Sequence, residues 1–417
     1  MKSGKSKQGI FYFLALLLPL FLILIQTPHV MAEKNKILNL GFILDFKPEE
    51  SPAFIEFIED LPHIDKYNFI IYEWRLLENS TFVKFLMSRG EILPFFSYPQ
   101  LKPPRERMEY LDHYLHEFKR MVGVYPNGSF MFQPDTFSVE YMRGKYGMRY
   151  VAGYCFDQLL VDYMSMVGGW QAPYYSNTSN VLVPSRSGRG LIIFPHTTWD
   201  WIGRYRDHHY NMHPQNAYLA FEKDEQKALD YMKRLALETL DSLEPFGYIA
   251  VTFEFKALIT NYGILDMTRE YCRWLVSESK AIPMTFSNAA DWFMGAYPSN
   301  PEYRITFTSP STAQTVTWIF NEYMRIAVID GKVVNFIDYR KQPPDPFLRV
   351  AARIDPSRPS SKTNVIDTSL RAEIDLLIET PPSTLQPTGT FLLFYLLCIV
   401  SLMGLRFYLA KRQTRLT

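Results

Sequence analysis

Residues 128–177 read GSFMFQPDTFSVEYMRGKYGMRYVAGYCFDQLLVDYMSMVGGWQAPYYSN, punctuated as strand, loop, helix, strand, loop. Ser129-Phe130-Met131-Phe132 is an apolar run that stops at Gln133-Pro134-Asp135. The spacing from Ser138 to Tyr146 predicts a short helix, and Gly147 suits its left-handed stop. Arg149-Tyr150-Val151-Ala152 begins a second strand, which runs into Cys155-Phe156-Asp157-Gln158. An aromatic, glycine-rich loop is expected next, with Gly168-Gly169-Trp170-Gln171 and Pro173-Tyr174-Tyr175. Both strands end in an acidic residue and an amide. Repeated around a parallel barrel, such carboxyl ends are where active sites sit.

The same unit recurs on either side. Ile37 to Leu44 ends at Asp45, Tyr67 to Tyr72 at Glu73-Trp74, and Glu91 to Phe96 at Ser97-Tyr98-Pro99-Gln100. Leu191 to Phe194 ends at His196, with Trp199-Asp200-Trp201 just beyond. Tyr248 to Phe253 ends at Glu254, and Ile282 to Phe286 at Ser287-Asn288. Helical intervals fall at 105–121, 217–240 and 267–279. This alternation predicts an α/β fold, a (β/α) barrel of seven or eight strands over residues 33–298. A doubly wound open sheet is the alternative, but no Gly-rich phosphate loop follows the first strand. Over 299–380 the pattern changes to short strands with Asp330-Gly331 as a hairpin turn, which predicts a small β domain.

The ends of the 417-residue chain predict its address. Lys2, Lys5 and Lys7 precede an apolar run from Ile10 to Ile25 and then Val30-Met31-Ala32, the pattern of a signal peptide or uncleaved anchor over 1–32. A proline-rich linker at 381–389 leads to a second apolar run, predicted as a transmembrane helix over 390–410. Lys411, Arg412 and Arg415 mark residues 411–417 as a cytoplasmic tail. A single-pass protein of the cell membrane is expected, with its bulk outside the cytoplasm. Cys155 and Cys272 are the only possible external disulfide pair, with a buried free thiol as the alternative, and Asn79, Asn127 and Asn177 stand in Asn-x-Ser/Thr triplets. The net charge of +1 gives no support for a nucleic-acid partner.

The order of pieces over residues 36–290 resembles the glycoside hydrolase/deacetylase (β/α)-barrel superfamily, which includes the polysaccharide deacetylases. The family's first-strand motif T-F-D-D-G-P falls on Ile43-Leu44-Asp45-Phe46-Lys47-Pro48, which keeps one Asp and the Pro. Its H-E-I-G-x-H-x-x-x-H falls on the stretch from Glu91 to Tyr98, which shares Glu-Ile and has neither histidine. Its F-R-P-P falls on Phe132-Gln133-Pro134-Asp135, and its last histidine, after the strand Ile249 to Thr252, on Phe253-Glu254. The resemblance implies a barrel acting on polysaccharides. The divergence implies that the usual zinc ligands are absent, so no metal and no cofactor are expected.

The chemistry left is carboxylate chemistry. Two carboxyl groups facing one cleft suffice for glycoside hydrolysis. Glu254, Asp135 and Asp45 are the candidate catalytic residues. Glu254 between Phe253 and Phe255 is expected to be desolvated and protonated, a general acid, with Asp135 as base or nucleophile. The plainer reading of Asp135, before Thr136 and Ser138, is a helix N-cap. Asp157, Trp170, Gln171, Tyr174, His196, Trp199, Asp200 and Trp201 are the candidate glycan-binding residues, with packing as the alternative for the aromatics. Asp207-His208-His209 with His213 could hold a metal if helical, although Pro214 points to a loop. A carbohydrate-active hydrolase is favoured, leaving open a catalytically inactive glycan-binding barrel or a structural envelope protein.

Overall fold

The computed structural model describes residues 34–96, 99, 102–132, 134–154, 170–188, 190–197, 200–203 and 209–340. The predicted signal, linker, membrane helix and tail lie outside these, as do Asp157, Trp199, Cys155 and Asp207-His208. Among the described residues no helix is long and apolar enough to cross a membrane.

The first strand, β1 (Lys36–Leu44), pairs in parallel with β2 (Tyr67–Ile71), which pairs with β3 (Gly90–Pro94). A single bridge from Phe95 to Phe130 carries the ladder into β4 (Gly128–Phe130), then β5 (Tyr150–Tyr154). An antiparallel hairpin, β6 (Tyr174–Asn177) and β7 (Asn180–Pro184), lies against β8 (Ile192–Pro195), which pairs in parallel with β5. After the short β9 (Leu243–Glu244), β10 (Gly247–Glu254) runs beside β1, with Ile43 opposite Glu254. The end of β8 closes the circuit. The Thr197 amide donates to the Ala250 carbonyl at 3.1 Å, and the Ala250 amide to Thr197 Oγ1 at 2.8 Å. Seven strands (β1, β2, β3, β4, β5, β8 and β10) thus form a ring.

The last expected strand is cut to two residues beside β1. Only Ile282–Pro283 (β11) pairs, with Ile37 and Leu38, before the helix Phe286–Ala296 begins. Pro283 has no amide to donate, and β1 already has β10 and β2 on its two edges. The glycine-rich loop expected up to Tyr175 is, at its end, the strand β6. The helix expected over 217–240 is two, Pro214–Ala220 and Glu225–Ser242, parted where Glu222 and Lys223 take positive φ.

An antiparallel meander follows: β12 (Tyr303–Thr308), β13 (Thr315–Phe320), β14 (Met324–Ile329) and β15 (Lys332–Asp338). Asp330 and Gly331 take φ of 51° and 73°, the turn that the Asp-Gly pair supplies. This sheet is bound to the barrel chain, since β9 pairs with β12 and the inner residues of β12 and β13 (Tyr303, Phe307, Trp318, Phe320) are buried.

Period two along each strand decides which side chains enter the barrel. From β1, Phe42 points out onto Phe54 and Phe57 at 6.0 and 5.6 Å between ring centroids. The alternate residues Asn39, Gly41 and Ile43 therefore line the lumen. A Cβ on Gly41 would meet Thr252 Cγ2 at 2.9 Å and Ile70 Cδ1 at 3.1 Å, so any larger residue there would push these side chains aside. The lumen floor is polar. Asn39 Nδ2 donates to Met284 O at 2.8 Å, and Asn68 Oδ1 accepts from the Phe286 amide at 2.8 Å. Glu91 accepts from the Tyr150 hydroxyl at 2.6 Å, the Ser287 amide at 2.8 Å and the Ser287 hydroxyl at 2.5 Å. Burial raises the Glu91 carboxyl above its usual range.

Candidate active site

The carboxyl ends of β1, β2, β3, β4, β8 and β10 lie together at one end of the ring, its mouth. Continuing the lumen-facing parity places Asp45 above Ile43, Tyr72 above Ile70, and Glu254 above Thr252. Asp45 is half-buried and its Oδ1 accepts from the Lys256 amide at 2.9 Å. Burial raises its pKa despite that bond and the nearby Lys256 charge. Glu254 is exposed, not desolvated as expected, because Phe253 and Phe255 turn outward onto Phe42 and Phe54 while Glu254 turns the other way. Flanking phenylalanines in a strand bury the opposite face, not the residue between them.

His196 sits one layer below the mouth. Its Nε2 accepts from the Thr252 amide at 3.0 Å and lies 2.9 Å from Thr252 Oγ1, so that nitrogen carries no proton. Burial and the neighbouring His213, 5.1 Å away between centroids, push its pKa well down. The half-buried His213 has its Nδ1 shut off from solvent with no partner among the described residues, and burial lowers it to about 4. Both rings are neutral at pH 7. They form the inner wall beneath the carboxylates and are not an ion pair.

Asp135 is elsewhere. Its side chain and that of Arg107 are both fully buried, 2.7 Å apart, and Arg107 also donates to the Lys102 carbonyl. Asp135 Oδ1 accepts the Ser138 amide at 2.9 Å and caps the helix Thr136–Tyr146. Its place is therefore structural, the N-cap of the plainer reading, and the role of base or nucleophile passes from it. Asp200 is likewise a staple. Its carboxylate accepts from the Ile202 and Gly203 amides and from the hydroxyls of Tyr231, Ser309 and Ser311, at 2.7 to 3.2 Å.

The expected tryptophan platform is also interior. Trp170 is fully buried, 5.5 Å from both Tyr174 and Tyr303. Tyr174 is buried and donates to the Val181 carbonyl at 3.0 Å. Trp201 stacks on Phe307 at 5.4 Å and meets Trp318 edge-on at 5.9 Å. Gln171 is 4 % exposed, and neither of its amide atoms has a partner among the described residues. Rings sealed by the β12–β14 sheet cannot stack on a sugar. The aromatic at the mouth is instead Tyr72, 53 % exposed, resting on Phe95 at 5.2 Å, which in turn meets Phe132 at 5.4 Å. Tyr72, Thr252 and Phe95 were missed. The buried Asn39 and Asn68 in apolar strands mark the lumen parity that would have found them.

The family that the sequence resembles uses a divalent metal, and the described residues at the matching positions do not fit one. Phe46, where the family has its second Asp, is buried against Phe54 at 5.2 Å and Phe255 at 5.3 Å. The end of β3 offers Phe95 and Phe96. Among the described residues no group of three or more His, Cys, Asp or Glu could hold a metal ion. Cys272 carries a free, buried thiol.

A sequence family described as a domain of unknown function with a solved structure, DUF3863, matches residues 111–315. No curated protein sequence matches. A crystal structure of a proposed glycoside hydrolase/deacetylase from Parabacteroides distasonis superposes with a TM-score of 0.64 at 16 % identity, over 84 % of this chain and 98 % of that one. A proposed polysaccharide deacetylase from Mycobacterium smegmatis gives 0.42 at 12 % identity, over 67 % of this chain and 96 % of that one. At these identities the likeness is one of architecture. The chain has the α/β fold, built on a parallel sheet, of the glycoside hydrolase/deacetylase barrels.

Proposed function

We propose that the protein is a membrane-anchored, extracytoplasmic carbohydrate-active hydrolase that works by carboxylate acid–base chemistry on a surface or external glycan. The observation that supports this best is the register of β1 against β10. It brings Asp45 and Glu254 to neighbouring strand ends on the lumen side. The half-buried Asp45, with its raised pKa, is the proton donor to a leaving oxygen. The exposed Glu254 is the base or nucleophile, and Tyr72 offers its face to a sugar ring. The apolar run at 390–410 with Lys411, Arg412 and Arg415 supports the anchor.

The experiment is a screen of the ectodomain against acetylated and unacetylated oligosaccharides, with Asp45→Asn and Glu254→Gln alongside wild type. Each substitution keeps side-chain volume, and each lowers turnover at least about a hundredfold with the unfolding midpoint close to wild type. Two variants that turn over normally would remove the proposal. Binding without turnover by wild type would favour the glycan-binding barrel, the reading that the substitution of Phe46 at a ligand position supports.

A further inference from the structure

We propose that the protein carries a second saccharide site, at the opposite end of the barrel from the mouth, which takes a sugar bearing a carboxylate. The inference rests on the proposed function only for why such a sugar would be met.

The site is a cavity of about 340 Å³ between the β6–β7 hairpin and the end of β15, lined by Asn177, Ser185, Arg186, Ser187, Tyr339 and Arg340 among others. Small-molecule sites span roughly 300–1,000 Å³. The strand β6 runs antiparallel to β8, and the Ser176 amide donates to the Leu191 carbonyl at 2.9 Å, so the hairpin tip lies beyond the amino end of β8. The mouth is at the carboxyl end, and the two share no residue.

Two guanidinium groups line the cavity and no carboxylate does. Arg340 is held by Asp338, from Nε at 2.8 Å and Nη2 at 3.0 Å, which leaves its Nη1 without a partner among the described residues. Arg186 lies over the Tyr323 ring, 5.1 Å from the centroid. A guanidinium laid on a ring keeps its in-plane N–H donors free, and their fork matches a carboxylate. Of the neighbouring acids, Asp338 is tied to Arg340, and Glu322 accepts from the Tyr323 hydroxyl. Arg186 has no acid bonded to it among the described residues.

The loop that presents Arg186 is fixed from behind. Asn300 donates to the carbonyls of Tyr175 and Ser185 at 3.0 and 2.8 Å and accepts the Tyr175 amide at 2.7 Å. Gly188 takes a φ of 65°, and a Cβ there would meet the Pro298 carbonyl oxygen at 2.3 Å. Ser185 Oγ accepts the Ser187 amide and lies 3.1 Å from Ser187 Oγ. A lining held in place loses little freedom on binding. Its hydroxyls and the Asn177 amide suit sugar hydroxyls, and the guanidinium edges select a uronate over a neutral sugar.

The test titrates the full-length chain, in detergent, with trigalacturonate, neutral galactotriose and inorganic sulfate by calorimetry. Trigalacturonate binds at least about tenfold more tightly than either of the others, and Arg186→Met loses at least about tenfold with its melting temperature unchanged, the scale of one charge-assisted bond. Asp45→Asn, which lowers turnover at the mouth, binds trigalacturonate as wild type does. A chain that hydrolyses nothing yet binds trigalacturonate through Arg186 supports this inference while removing the proposed function. No binding, equal binding by Arg186→Met, or galactotriose bound as tightly as trigalacturonate overturns it. Sulfate bound as tightly as trigalacturonate overturns it too, since the cavity would then hold a simple anion only.

Discussion

Replacing Asp135 by Asn tests whether this acid belongs to the chemistry or to the scaffold. Asp135 and Arg107 are both 0 % exposed and 2.7 Å apart, so the amide leaves a guanidinium in the interior without its counter-charge. Breaking a buried pair from one side costs about 3–5 kcal/mol. The helix cap adds little to this, because Asn caps almost as well as Asp. With a urea m value of about 3 kcal/mol per molar, the unfolding midpoint falls by about 1 M or more. That is a large share of the roughly 5–15 kcal/mol of a whole domain. Adding Arg107→Met removes the stranded charge and restores most of the loss, less the two bonds from Arg107 to the Lys102 carbonyl. Urea denaturation followed by tryptophan fluorescence reads all three proteins. Asp135→Asn unfolding at the wild-type midpoint while losing hydrolysis would refute the reasoning and return Asp135 to the active site.

His213, lowered from 6.5 to about 4 by burial, stabilises the fold above pH 6.5, and that stability is lost as pH falls towards 4; His213→Gln flattens the fall in a pH series of melting temperatures. Asp45 carries the opposite sign. Its raised pKa makes stability greatest at low pH and smaller as pH rises through that value, so Asp45→Asn at neutral pH melts no lower than wild type. Metal analysis of the purified ectodomain finds less than one equivalent after mild chelation, and a stoichiometric ion at Asp45 would restore the deacetylase chemistry. External protease on intact cells releases a fragment ending near residues 381–387, and protection of the barrel from it would refute the orientation.

The strand order was legible because the strands end in recognisable stops, and that rule leads to Asp45 and Glu254 at the ends of β1 and β10. Their environments were not. Glu254 was read as desolvated from its two neighbours in sequence, yet a strand buries alternate residues, and its own face opens on the mouth. Asp135 had both readings in its local sequence, and the deciding partner, Arg107, is on a helix that only tertiary packing brings near. The tryptophans failed for the same reason at longer range: Trp201 is covered by Phe307 and Trp318. A count of aromatic residues carries no information on which ring faces are already taken. The strand at 282–286 shows a limit of another kind, since whether an apolar run joins a ring depends on a vacant edge beside β1.

The polar floor has a consequence for traffic. Asn39, Asn68 and Glu91 are all engaged by residues 284–287, at the start of the helix Phe286–Ala296. The barrel is a blind vessel, shut at one end by its own backbone. A ligand taken up at Tyr72 and the carboxylates, as the proposed function requires, would have to leave by the same end. A long glycan would have to be met at a chain end dipped into the mouth, or along a side laid across the rim.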